Sequence, residues 1–259
     1  MELTQEEIIK KVIITTGTLY TLATESDRIR SELAKGTIKK ARELGYTIIV
    51  IDSGSPAELV NEFMQLGAIV FTEIFQSTGK SKRKIIRHAH ESDKEVIVLI
   101  EPEKENFLSE IPKVVLPILK GEADMVIPRR KSLASYPLAQ QYSELFGNTF
   151  FKELTGLDLD IFFGPRVFTQ DMALYFLDYD GRYNDNWDSV YIPVIDAIYE
   201  KKRVIGVEVD YTHPQDQTAI EEHDMKYYFK RLDELHSIMN ALSVHWERLD
   251  AIVQGKQVV

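Results

Sequence analysis

Through the first half of the chain, apolar blocks alternate with amphipathic ones. KVIITT (11–16), TIIVID (47–52), AIVFTE (68–73), EVIVLI (95–100) and DMVIP (124–128) are short and rich in β-branched residues, and predict strands. Between them, residues 25–45, 56–67 and 80–92 carry apolar positions at helical spacing, and the first two of these segments end in Gly, a helix-stop signal. The strand runs are continuous rather than alternating, which predicts strands covered on both faces. That pattern gives an α/β fold with a mostly parallel central sheet flanked by helices.

The second half is less regular. A helix is predicted over 135–156, a strand-like run over 160–168, a helix from Trp187 to about Lys201, and a strand over 203–211. From Glu221 onward the pattern is one long C-terminal helix, with Met225, Tyr228, Phe229, Leu232, Leu235, Met239 and Leu242 forming an apolar stripe. The stripe reads as packing on the body of the protein, with a homodimer seam as the alternative. No internal repeat or low-complexity linker divides the 259 residues, so the parts are halves of one sheet-centred unit.

Composition narrows the function. The hydrophobic fraction of 44% and charged fraction of 28% are those of a globular protein. A formal charge of −10 argues against nucleic acid as a partner, because a phosphate backbone needs a positive footprint. Cys is absent, which removes thiol nucleophiles and Cys-based metal sites. No apolar run approaches the ~18 residues of a transmembrane segment, and the acidic, amphipathic start is unlike a signal peptide. The expected location is cytoplasmic.

Chemistry concentrates where predicted strands end. In a parallel sheet ligands bind beyond the carboxyl ends of the strands, and Asp52, Glu73 and Glu101 all stand there. Glu101, Glu103 and Glu105 crowd the end of EVIVLI; they are either a solvated turn or the holders of something cationic. STGKS (77–81) lacks the earlier Gly of a P-loop, since Ile74 occupies that position. What remains is Gly79–Lys80 at a helix start followed by Lys82, Arg83, Lys84 and Arg87, a solvated basic face or an anion site. In IDSGSP, Asp52 is either a ligand contact or part of a turn in which Ser55 caps the next helix. Asp185 and Asp188 flank Trp187 at a helix start, where acids suit the helix dipole. His88, His90, His223, His236 and His245 fall on helical faces and carry no assigned role.

In this order, DSGS, Gly-Lys before a helix, a strand ending in spaced acids and ADMVIPRR resemble the nucleotide-sugar glycosyltransferases of GT-A fold. The nearest resemblance is to family 2-type enzymes and the glucosyl- and mannosylglycerate synthases. GNTFFKELTGLDLDIFFGPRVF is similar to their acceptor-side segment, and residues 184–214 to their acidic helix start, strand and late His. The resemblance covers roughly residues 11 to 215. It implies a nucleotide-sugar-binding half (1–128), an acceptor-side half (129–215) and a C-terminal helix (216–259).

The same resemblance implies that Asp52 contacts the nucleobase and that Gly79 and Lys80 line the nucleotide site. Glu101-Pro102-Glu103 would replace the Asp-X-Asp signature that binds divalent Mg or Mn on the diphosphate, with His213 as the late metal ligand. Asp188 would orient or deprotonate the acceptor, a small molecule or lipid-linked group. TTGTLYTLATESDRIR departs from the family's usual first-strand end, and Arg28 and Arg30 there meet phosphates or face solvent. The reading is a metal-assisted hexosyltransferase. A nucleotidyltransferase and a non-catalytic nucleotide- or sugar-binding relative remain as alternatives.

Overall fold

The computed structural model describes residues 3–75, 77–222 and 224–253. Its element order is α1 (Gln5–Lys11), β1 (Val12–Thr18), α2 (Glu25–Glu43), β2 (Thr47–Asp52), α3 (Ala57–Gln65), β3 (Ile69–Thr72), α4 (Thr78–His90), β4 (Val96–Leu99), α5 (Ile111–Leu119), β5 (Met125–Arg130), α6 (Leu138–Thr155), β6 (Arg166–Thr169), α7 (Gln170–Leu177), α8 (Asp188–Tyr199), β7 (Val204–Val209), α9 (Gln215–Glu221) and α10 (Met225–Val253). A 3-10 turn, Glu105–Glu110, precedes α5.

Seven strands form one sheet in the order β3-β2-β1-β4-β6-β5-β7. All pairings are parallel except those of β6, which runs antiparallel to both β4 and β5. Burial on both faces explains the continuous apolar runs of β1, β2, β4 and β5, whereas β3, expected to be covered likewise, is an edge strand of the sheet and is largely exposed. Val12 and Ile14 pack into one core with Val96, Val98 and Ile100. Ile13 turns to the opposite core with Ile97 and Leu99. Gly45 and Gly67 follow α2 and α3 at φ of 87° and 93°, the left-handed conformation that ends a helix.

The chain order reverses between β1 and β4: β2 and β3 lie on one side of β1, and the chain returns to place β4 on the other. Such a switch point opens a crevice at the carboxyl ends of the two strands. The antiparallel β6 brings its first residue to the same end, since Arg166 pairs with Leu99. β5 pairs with β6 only at Met125 and Val126, so beyond Val126 the two strands no longer pair and room opens between them.

Three expectations need correction. Of the run 160–168 only the last three residues are strand, within β6 (Arg166–Thr169); a turn closed by Phe163 N–H on the Asp160 carbonyl (3.1 Å) precedes it. Ser55 does not cap α3, because its hydroxyl accepts the Tyr20 N–H at 2.9 Å. The C-terminal helix starts at Met225 rather than Glu221, which closes the separate α9. His223 and residues 254–259 lie outside the described residues. The expected stripe on α10 is divided: Leu242 is buried, whereas Met225, Phe229 and Leu232 are exposed. The covered face carries Tyr227, Ile238, Ala241, His245 and Leu249 instead. No helix among the described residues is long and apolar enough to cross a membrane.

Gly147 sets the fit of α6 against the turn before β6. A Cβ there would fall 2.2 Å from the Phe162 ring, itself packed 5.3 Å from Tyr191. Gly147→Ala is therefore expected to destabilise the protein by about 1–3 kcal/mol through overpacking. An uncrowded helical glycine would instead gain roughly 1 kcal/mol from the same change. Urea denaturation decides between the two signs.

Candidate functional site

Where the strands open, a cavity of about 210 Å3 lies beyond the ends of β4, β5 and β6, closed by α6, α8 and α10. Seven cationic side chains and four carboxylates line it, a local positive excess in a chain of net −10. Aromatic rings, among them Tyr136, Phe162, Trp187 and Tyr191, complete the wall.

The two glutamates after β4 both reach this cavity, each facing cations rather than the other. Glu103 is buried, and its Oε1 accepts hydrogen bonds from Tyr20 Oη and Arg30 Nε, both at 2.8 Å. Glu101 lies over Gly164 so closely that a Cβ there would fall within 1.4 Å of its Oε1, while its buried Oε2 has no hydrogen-bond partner. Burial pushes the Glu101 pKa up, but the opposing field of Lys104, Lys82 and Arg166 outweighs it and holds the carboxyl below its ordinary value.

Those cations are themselves fixed. Lys104 is buried with its ammonium 5.0 Å from the ring centre of Tyr211, 5.5 Å from Phe163 and 5.8 Å from Tyr136. Burial disfavours its charge, yet Tyr136, Tyr211 and Glu101 raise its pKa well above that of an ordinary lysine. Arg166, fully buried, donates through its terminal nitrogens to the carbonyls of Phe163, Pro165 and Ile161, leaving Nε without a partner. Its pKa is lowered chiefly by burial. Lys82 enters from α4 and has its pKa lowered, again by burial, against the pull of Glu101.

Deeper in, Arg130 grips Asp160 through Nε and Nη2, both at 2.7 Å, and meets Glu144 at 2.6 Å. Asn148 and Gln140 complete this network on Asp160 (2.8 Å) and Glu144 (2.6 Å). Asp160 is held below the usual carboxylate range: burial opposes its charge, but the Arg130 fork more than compensates.

The residues expected from sequence separate into those the structure brings together and those it does not. Glu101, Glu103 and His213 all line the cavity, yet among the described residues no three His or carboxylate groups converge as a metal cluster. His213 stacks on Tyr136 (4.2 Å) with Nε2 3.7 Å from Glu221, and burial lowers its pKa. What the chain offers a divalent ion is the buried Oε2 of Glu101, which has no hydrogen-bond partner within the described residues, with Glu103 two positions on in the same cavity.

Asp52 lies at the carboxyl end of β2, fully buried, with Thr18 Oγ1 and the Gly54 and Ser55 N–H groups on its oxygens, each at 2.9 Å. It is the organiser of that turn and does not line the cavity. Gly79 is packed beneath Asp185, to whose carbonyl it donates at 2.9 Å, and a Cβ there would meet Ser189 Oγ at 2.2 Å. Lys80 beside it is exposed, and the lysine of this helix that reaches the cavity is Lys82. Asp188 is buried with its oxygens taken by Tyr179 Oη and the Asn186 N–H, both at 2.6 Å. It anchors the start of α8, whose Trp187, Val190 and Tyr191 line the cavity, and is itself outside the lining. Arg30 meets Glu103, whereas Arg28 binds the Leu22 carbonyl at 3.1 Å.

No family model matches the chain, and no curated protein matches it. Solved structures do match. Glucosyl-3-phosphoglycerate synthase from Mycobacterium tuberculosis in complex with phosphoglyceric acid aligns with a TM-score of 0.61 at 15% identity, over 95% of this chain and 84% of that one. The same enzyme with Mn2+, UDP-glucose and phosphoglyceric acid gives 0.60 at 14% identity, over 93% and 84%. A crystal structure of a mycobacterial protein gives 0.65 at 13% identity, over 95% and 80%. The fold is therefore GT-A. At these identities the likeness is one of fold, and the chemistry rests on this chain's own residues.

An empty carboxylate pair facing itself would be relieved by losing its charge. Here each acid balances buried cations, so the double variant Glu101→Gln/Glu103→Gln is expected to lose about 3 kcal/mol or more of stability. A ligand-free melting temperature equal to or above that of the unaltered protein would show that repulsion between the acids dominates.

Proposed function

We propose that the protein is a GT-A glycosyltransferase that moves a sugar from a nucleoside diphosphate sugar to a small acceptor. The observation that carries this reading is the cationic cavity beyond the ends of β4, β5 and β6 in an otherwise acidic chain. A diphosphate leaving group gains negative charge as the glycosidic bond breaks, and fixed cations in a buried site stabilise that charge more than water would. Lys82, Lys104 and Arg166 stand where such charge would develop. The nucleoside belongs beside the carboxyl end of β2 and the start of α4, where Asp52, Gly79 and Lys80 stand. The acceptor belongs on the deeper wall around Arg130, Gln140 and Glu144, with Asp188 as a positioning residue behind α8.

Mg2+ or Mn2+ accompanies UDP in structures of the mycobacterial synthase, which supports a divalent ion as cofactor. In this chain Glu101 and Glu103 would hold it, with His213 behind them. When bound, such an ion neutralises part of the diphosphate charge. Thermal shifts with UDP-, GDP- and ADP-sugars, with Mn2+ or Mg2+, test the reading. A donor at a hundred times its Kd stabilises the folded state by about 2.7 kcal/mol. No shift with any donor would overturn it, and donor hydrolysis in the same samples separates an enzyme from a binding protein.

The chain is further proposed to form a homodimer. Leu138, Tyr142, Leu145 and Phe146 on α6, and Met225, Phe229 and Leu232 on α10, are all exposed at helical spacing on helices that pack against each other. Apolar faces of this extent are uncommon on monomers. Light scattering should give a dimer that Phe229→Glu with Leu145→Glu converts to a monomer. A monomeric unaltered protein would remove the seam.

A further inference from the structure

The charges around the end of β4 do not close on one another. Lys82, Lys104 and Arg166 share the cavity with Glu101, yet among the described residues none of them closes an ion pair with it. Glu101 Oε2 and Arg166 Nε are both buried without a hydrogen-bond partner. Burying charges at this separation is costly, because each loses water and none gains a close partner. The three cations are also held from behind. Lys104 sits among three rings, Arg166 is tied to three carbonyls, and Lys82 rises from a helix whose start is locked by Asp185. Such preorganisation suits a ligand that brings the missing negative charge.

We infer that Lys82, Lys104 and Arg166 form a diphosphate clamp that binds without a divalent ion, and that Glu101 is the placeholder occupying it in the free protein. The inference rests on the nucleoside diphosphate reading and adds to it the order of dependence. One carboxylate balances three cations only in part, so a diphosphate competes with it for them. Were Glu101 engaged by a divalent ion instead, Lys82, Lys104 and Arg166 would be left to the phosphates and binding would strengthen.

Glu101 therefore has opposite effects in the two conditions, which separates a placeholder from a plain metal ligand. Titration calorimetry with UDP, GDP and ADP, each in EDTA and in Mn2+, reads both. At least one nucleotide should bind the unaltered protein in EDTA. Glu101→Gln should bind that nucleotide in EDTA about tenfold more tightly, having lost its internal competitor, and should lose the gain on adding Mn2+. Lys82→Met should weaken binding about tenfold or more in both conditions, and Lys82→Arg should retain most of it. Melting curves of each variant without ligand confirm that the folded protein is being titrated. Binding only in Mn2+, or weaker EDTA binding by a folded Glu101→Gln, would overturn the clamp while leaving the glycosyltransferase reading in place. Absence of binding by all three nucleotides in both conditions would overturn both.

Discussion

The guanidinium of Arg130 holds the cavity in shape. It leaves the end of β5, forks onto Asp160 and meets Glu144 of α6, so one side chain joins the sheet, the turn before β6 and a helix on the far wall. Its plane also lies 4.8 Å from the centre of Tyr136 and 4.7 Å from Phe163, the rings that confine Lys104. Removing one partner of so buried a network leaves an uncompensated charge, which costs far more than the intact pair contributes. Asp160 also opens the turn closed by the Phe163 N–H, and Gly164, the residue beneath Glu101, follows directly from that turn.

The five strands of the first half were legible within a residue or two, four of them because burial on both faces writes itself as unbroken Val/Ile runs and the exposed edge strand β3 because its residues are β-branched and aromatic. The later elements carried less signal. A four-residue antiparallel strand such as β6 leaves no distinctive pattern. On α10 the periodicity selected the wrong half of the stripe for a physical reason. Toward its N-terminal end the inward face lines a polar cavity and therefore carries Arg231 and Glu234, while Met225, Phe229 and Leu232 point outward. Apolar periodicity identifies a buried face only where the core is apolar.

The site divides in the same way. Glu101 and Glu103 were visible because they are adjacent in sequence at the end of an evident strand. Lys82, Lys104, Arg130, Arg166 and Arg231 come from five separate segments and each resembles an ordinary solvated charge until the fold gathers them. The one local hint was Arg166 inside DIFFGPRVF, a cation among apolar residues that solvent alone would not explain. Asp52 and Asp188 are ambiguous in sequence for a different reason. Strand ends and helix starts need internal acceptors whether or not a ligand binds there, and both carboxylates serve that need.

β6 has a mechanical consequence. β4 and β5 are not paired with each other and are joined only through β6, so among the described residues four, Arg166–Thr169, are the whole hydrogen-bonded seam between β3-β2-β1-β4 on one side and β5-β7 on the other. If that strand lets go, the sheet parts into two pieces, neither of which retains the cavity. Slow amide exchange at Val167 and Phe168 is thus a report on the integrity of both pieces at once. Because the seam begins at Arg166, an anion gripped by that side chain also fastens the sheet.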